Sequence, residues 1–84
     1  MSHVGPREDL ARNSLESATY WTVVHRENLG VQEAALGRMR TLVASGPASL
    51  RREAELGDVA LVVAELVITR KRLTFWDARV RELS

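Results

Sequence analysis

Apolar residues recur along this chain at alternating steps of four and three, the spacing of one face of a long helix. From Ala11 the series runs Ala11, Leu15, Ala18, Thr22, His25, Leu29, Gln32, Leu36, Met39 and Val43, and seven of these ten are apolar. The second half is cleaner: Val59, Val62, Leu66, Thr69, Leu73, Trp76, Val80 and Leu83 form a seam with one polar member. Between the two lies the strongest turn signal in the chain, Ser45-Gly46-Pro47-Ala48-Ser49. Pro6 suits a first helical turn, with Glu8 and Asp9 placed to complement the helix dipole. The pattern predicts a first helix from Pro6 to Ala44 and a second from Leu50 to Leu83, with Ser49 as its N-cap. The expected fold is all-α: a long antiparallel helical hairpin with its turn at 45–49. Residues 1–5 are expected to be a flexible tail and 6–84 a single helical domain. Gly30 and Gly57 are the two places where a helix could break. Tyr20–Val24 and Ala60–Thr69 are rich in β-branched and aromatic residues, but neither alternates apolar with polar as a strand would.

From Val59 to Ile68 nine of ten positions are apolar, with Glu65 the exception. On a helix this is hydrophobic all round, and one neighbouring helix covers only one side of it. A second copy would bury the rest, so the hairpin is expected to dimerise into a four-helix bundle. Val59, Val62, Val63, Leu66 and Val67 are the expected oligomer interface. Composition points the same way. The chain has 84 residues, 45% of them hydrophobic, and no cysteine. That size supports one small core, and the lack of cysteine excludes a disulfide framework, a zinc finger and a thiol nucleophile. Association is the remaining way for so short a chain to gain stability.

Charge narrows the partners. Twelve basic and eleven acidic residues give a net charge of +1, so no global field draws the chain to nucleic acid or membranes. The longest apolar run is far short of the ~20 residues that span a bilayer, and the first residues lack the apolar core of a signal peptide. A cytoplasmic protein is expected. Arg70-Lys71-Arg72 is the basic run, a candidate phosphate contact, but consecutive helical residues fan over about 200° of the cylinder. If the turn centres on Pro47, residues whose numbers sum to about 94 share a level of the hairpin. Tyr20, Trp21, Phe75 and Trp76 would then gather near the open end, as an aromatic core layer or as a partner or ligand surface. The same register sets Arg38 and Arg40 near Glu53 and Glu55, and Arg12 near Glu82. Glu65 reads as a carboxylate paired across an interface, and His25 as a hydrogen-bonded seam residue. No Asp, Glu or His stands three or four residues after His25, so no metal site is expected. No phosphate-binding loop, dinucleotide fingerprint, nucleophile elbow or metalloprotease motif occurs, and no catalytic residue or cofactor is expected.

Three likenesses touch parts of the chain. A two-helix hairpin of this length resembles the WXG-type secretion substrates in shape, with Ser45-Gly46-Pro47 where those carry Trp-x-Gly. Ala60–Val67 resembles the helix that bears the catalytic Glu in anti-sigma kinases of the histidine-kinase ATPase fold. Those continue with a magnesium-binding Asn, whereas Ile68, Thr69 and Arg70 follow here. Arg12, Arg26, Arg38 or Arg40, and Arg52-Glu53 resemble in kind the cationic site of the all-helical chorismate mutases, which would imply a dicarboxylate ligand in a dimeric bundle. The spacing from Arg26 to Arg52 departs from that pattern, and none of the three fixes a family. The sequence therefore reads as a non-enzymatic helical interaction module, an oligomerising adaptor, chaperone-like or regulatory subunit, with a homo-oligomer or an obligate helical partner. A small nucleic-acid-associated regulator using Arg70, Lys71 and Arg72 is the alternative, and a small-molecule-binding bundle the third reading.

Overall fold

The computed structural model describes residues 7–84, so the expected tail and Pro6 lie outside the described residues. The described chain is helical without a strand: α1 (Leu15–Ala44), α2 (Ala48–Leu56) and α3 (Asp58–Leu83). Among the described residues no helix is long and apolar enough to cross a membrane.

The first helix begins later than the proline and the early acids imply. Ser14 caps α1: its hydroxyl accepts from the Ser17 N–H, and the Ser17 hydroxyl accepts from the Ser14 N–H, both at 3.2 Å. This reciprocal pair satisfies two otherwise orphaned donors and fixes the start at Leu15. Upstream, Asp9 does not sit in a helical turn. Its carboxylate accepts from the Ala11 and Arg12 N–H groups at 2.9 and 3.1 Å, which closes a local loop instead. The amide of Asn13 donates to the Asp9 and Leu10 carbonyls and completes it.

Gly30 does not break α1, but Gly57 divides the expected second helix. At Gly57 the backbone turns to φ −109°, ψ −98°, far from the helical ψ near −42°. Its N–H still bonds to the Glu53 and Ala54 carbonyls, so α2 closes before α3 sets off in a new direction. At the turn, Pro47 rather than Ser49 takes the cap position of α2, whose first residue is Ala48.

The bend resets the register. Arg40 pairs with Glu55 at 3.6 Å, close to the expected alignment. Farther along, Arg26 pairs with Asp77 at 3.7 Å and Glu33 with Arg70 at 3.0 Å, so α1 and α3 pass in opposite senses. In both of these pairs the residue numbers sum to 103, nine more than the continuous arms imply, and nine residues is the length of α2. Because α2 swings aside, α3 starts almost level with the end of α1. Arg12 does not reach Glu82, which pairs with Arg79 instead.

The inner faces are those the spacing marks, except that Ala11 and Leu15 at the start of the first series are exposed. All eight seam positions of α3 are buried or half-buried, as are Ala18, Thr22, His25, Leu29, Gln32, Leu36, Met39 and Val43 of α1. Yet among the described residues only Ala18, Val59, Leu66 and Trp76 are buried apolar side chains. The Cα envelope measures 50 × 32 × 17 Å, and a layer that thin leaves most outward side chains at the surface.

Candidate functional site

Two features carry chemistry: a polar cluster where the N-terminal loop meets both helices, and the outer face of α3.

The cluster centres on one oxygen. Glu8 Oε2 lies 2.6 Å from His25 Nε2, 2.9 Å from Trp76 Nε1 and 3.1 Å from Arg72 Nη1. An ionised carboxylate only accepts, so His25 must carry its proton on Nε2 and donate it here. α1 supplies His25, α3 supplies Arg72 and Trp76, and the loop delivers the acceptor. Burial works against the charged form of Glu8. The hydrogen bonds from His25 and Trp76, the attraction of His25 and the bond from Arg72 outweigh it, and the carboxyl sits below its ordinary value of 4.5. A second strut stands beside it: Arg79 Nε donates to Asn13 Oδ1 at 2.6 Å. The ring of Trp21 lies 5.7 Å from that of His25, tilted by 30°. The Trp21 Nε1 is buried and has no acceptor among the described residues.

The four aromatic residues do not form the single group expected of them. Tyr20 and Trp21 make one edge-to-face pair, and Phe75 and Trp76 another, each within its own helix. The shifted register keeps the pairs at different levels, and Glu8 with His25 bridges them. Trp76 is 0% exposed, so it belongs to the core and cannot face a partner directly, whereas Tyr20 and Phe75 are open on the surface.

The expected interface set divides too. Val59 and Leu66, at 1% and 2% exposure, pack against α1 inside the chain, and Val62 and Val63 are half-buried. Only Val67 lies open, at 43%. The correction follows from the heptad itself: Val59, Val62 and Leu66 belong to the inner seam. The opposite face of α3 instead carries Ala60, Leu61, Ala64, Val67 and Ile68, at the i, i+1, i+4, i+7, i+8 spacing of one stripe, and all five are exposed. Glu65, expected to be paired, is exposed with no ion-pair partner among the described residues.

The basic run is largely engaged at home. The Arg70 guanidinium is held by Glu33 and that of Arg72 by Glu8, while Lys71 is exposed with no ion-pair partner among the described residues. The arginines that would build a dicarboxylate pocket do not converge, since Arg26 is taken by Asp77 and Arg40 by Glu55. The grooves lined by Ala48–Leu56 and by Ala34–Leu42 each lie on a single helix, so nothing closes over them. Among the described residues no cluster of three His, Cys, Asp or Glu side chains could hold a metal ion.

Sequence reasoning missed Glu8, because placing it in a first helical turn points it to solvent. The signal that could have found it is Ser14-x-x-Ser17: a cap at Ser14 frees the preceding residues to fold back. Comparison with protein-family models, with curated proteins and with solved structures finds no match.

Proposed function

We propose that this chain is a non-enzymatic helical interaction module that associates with a second copy through the outer face of α3. The observation that carries the reading is the exposed stripe of Ala60, Leu61, Ala64, Val67 and Ile68, with Leu61 at 63% and Ile68 at 59% exposure. Twice two long helices, each pair an antiparallel hairpin with a bent second arm, would then form a four-helix bundle around the paired α3 helices. Ala60 and Ala64 are small enough to let a second helix approach closely, with the larger side chains interlocking on either side.

Burying Leu61, Val67 and Ile68 contributes roughly 1.5–3 kcal/mol each, large against the few kcal/mol that hold a chain of this size together.

Molar mass in solution tests it. Light scattering should give a dimer for the unaltered chain, and Leu61→Glu or Ile68→Glu should give a helical monomer, because neither residue supports the fold within one chain. A 9.4 kDa monomer at about 100 μM would sink the proposal.

A further inference from the structure

We propose that His25, Arg72 and Trp76 form a carboxylate-binding site, occupied in cis by Glu8, that accepts a carboxylate carried by another molecule when the N-terminal loop lifts away. The inference is independent of self-association and concerns the other end of the molecule.

Three observations carry it. The donors all belong to the helices, and the acceptor belongs to the loop, so the site is built without the group that fills it. His25 Nε2, Trp76 Nε1 and Arg72 Nη1 come from two helices and converge within 2.6–3.1 Å of a single oxygen. Such a convergence of charged and neutral donors is the recognition chemistry of an anionic oxygen. Trp76 is fully buried, so its N–H is fixed in place, and an uncompensated N–H there carries a desolvation penalty. Second, the side-chain bonds that hold the loop to the helices, among the described residues, are polar. No residue from 7 to 14 is buried, and Leu10 points to solvent. Beyond Glu8, the side-chain bond that ties the loop to α3 is Asn13 to Arg79. A segment with so little buried apolar contact opens readily compared with the helices beneath it. Third, the Trp21 ring stacks beside His25 while its buried N–H lacks an acceptor among the described residues. Glu8 reaches His25, Trp76 and Arg72 through Oε2. A free carboxylate is not tethered to the loop, and the same three donors are open to it once Glu8 leaves.

While Glu8 is in place, an outside carboxylate competes with an intramolecular one, and its apparent affinity falls by the fraction of chains in which the loop is open. The arrangement is a site with its own plug. The ligand class is a carboxylate, from a free small acid or from an acidic side chain of a peptide.

The test titrates the full-length chain and its Glu8→Ala variant with acetate, and in parallel with the peptide acetyl-Ala-Glu-Ala-amide. Ionic strength is held constant with chloride. Tryptophan fluorescence reads the site, since Trp76 donates into it and the Trp21 ring lies beside His25. We expect saturable binding to Glu8→Ala, at least tenfold tighter than to the unaltered chain. We also expect loss of that binding in Glu8→Ala/Arg72→Ala. The tighter of the two probes identifies the source of the carboxylate. If Glu8→Ala is poorly folded, the readout becomes recovery of helical circular dichroism as acetate is added. The proposal is overturned if Glu8→Ala neither binds nor is restored by either probe. It is equally overturned if chloride serves as well as acetate, or if the unaltered chain binds as tightly as the variant.

Discussion

Truncating Glu8 to alanine takes away the one oxygen that His25, Arg72 and Trp76 share, and the structure sets the size of the loss. The Trp76 indole N–H is left without an acceptor inside a fully buried ring. A buried donor stranded in this way costs about 1–3 kcal/mol. The Arg72 contact adds less. Its guanidinium side chain is 42% exposed, and a pair so open to water is worth about 0–1 kcal/mol. Together these give about 2 kcal/mol, or a fall in Tm of roughly 8–16 °C for a domain of this size. Urea melts followed by far-ultraviolet circular dichroism measure it, at one fixed protein concentration, because association would otherwise shift the midpoint. Glu8→Gln keeps an oxygen for Trp76 but loses the charge, and should fall between the two. A double-mutant cycle with Trp76→Phe isolates the indole's share and should return a coupling of about 1 kcal/mol. A loss below about 0.5 kcal/mol for Glu8→Ala would mean that the loop is not docked as described.

The same carboxylate predicts a pH dependence with a fixed sign. The Glu8 carboxyl is held below its ordinary 4.5 in the folded chain. A depressed folded value stabilises the native state above the unfolded value, and that contribution is lost as pH falls through the folded one. The margin of the unaltered chain over Glu8→Gln should therefore be constant near neutrality and should shrink below about pH 4.5. A margin that widens on acidification would contradict the assignment.

Other changes separate the inner seam from the outer stripe. Leu66→Ala should cost about 2–5 kcal/mol in urea melts, since it empties a buried site. Val67→Ala, one residue away but exposed, should leave intrachain stability within about 0.5 kcal/mol and weaken only association, read by light scattering. Ser14→Ala removes half of the reciprocal cap and should cost about 1 kcal/mol, with amide exchange accelerated in the first turn of α1. Gly30→Ala should raise stability by about 0.5–1 kcal/mol, because the added Cβ meets nothing within 4 Å in the helix interior.

The seams were legible because they rest on a single physical demand, that each helix bury one face. Every seam position from Val59 to Leu83 of α3, and those from Ala18 to Val43 of α1, is buried or half-buried. What the same pattern does not carry is direction. A heptad runs unchanged through Gly57 whether the chain bends there or not, since seam positions on either side keep their spacing. Only the three-dimensional path shows that α2 leaves the line and slides α3 along α1. That slide separates Trp21 from Leu73 and the two aromatic pairs from each other. An all-round apolar stretch also does not say which of its faces meets the neighbouring helix, and Val59 and Leu66 prove to be buried within the chain.

The loop was illegible for a different reason. Pro6, Glu8 and Asp9 each favour a helical first turn by local propensity, and local propensity is weak beside three hydrogen bonds to one carboxylate. Asp9 tips the balance at close range by capping Ala11 and Arg12, and Ser14 then offers the better start. Once α1 begins at Leu15, the register shift acquires a second consequence. Judged by the ion pairs, α3 ends about level with Tyr20, so its last turns lie beside the start of α1 and within reach of the returning loop. Continuous arms would have set Trp76 about level with Ala18, whereas the slide sets it about level with Glu27, beside His25. The bend at Gly57 and the cluster around Glu8 are thus linked through the slide of α3. A change that straightens the bend should disturb the cluster at the other end of the molecule before it unwinds either long helix.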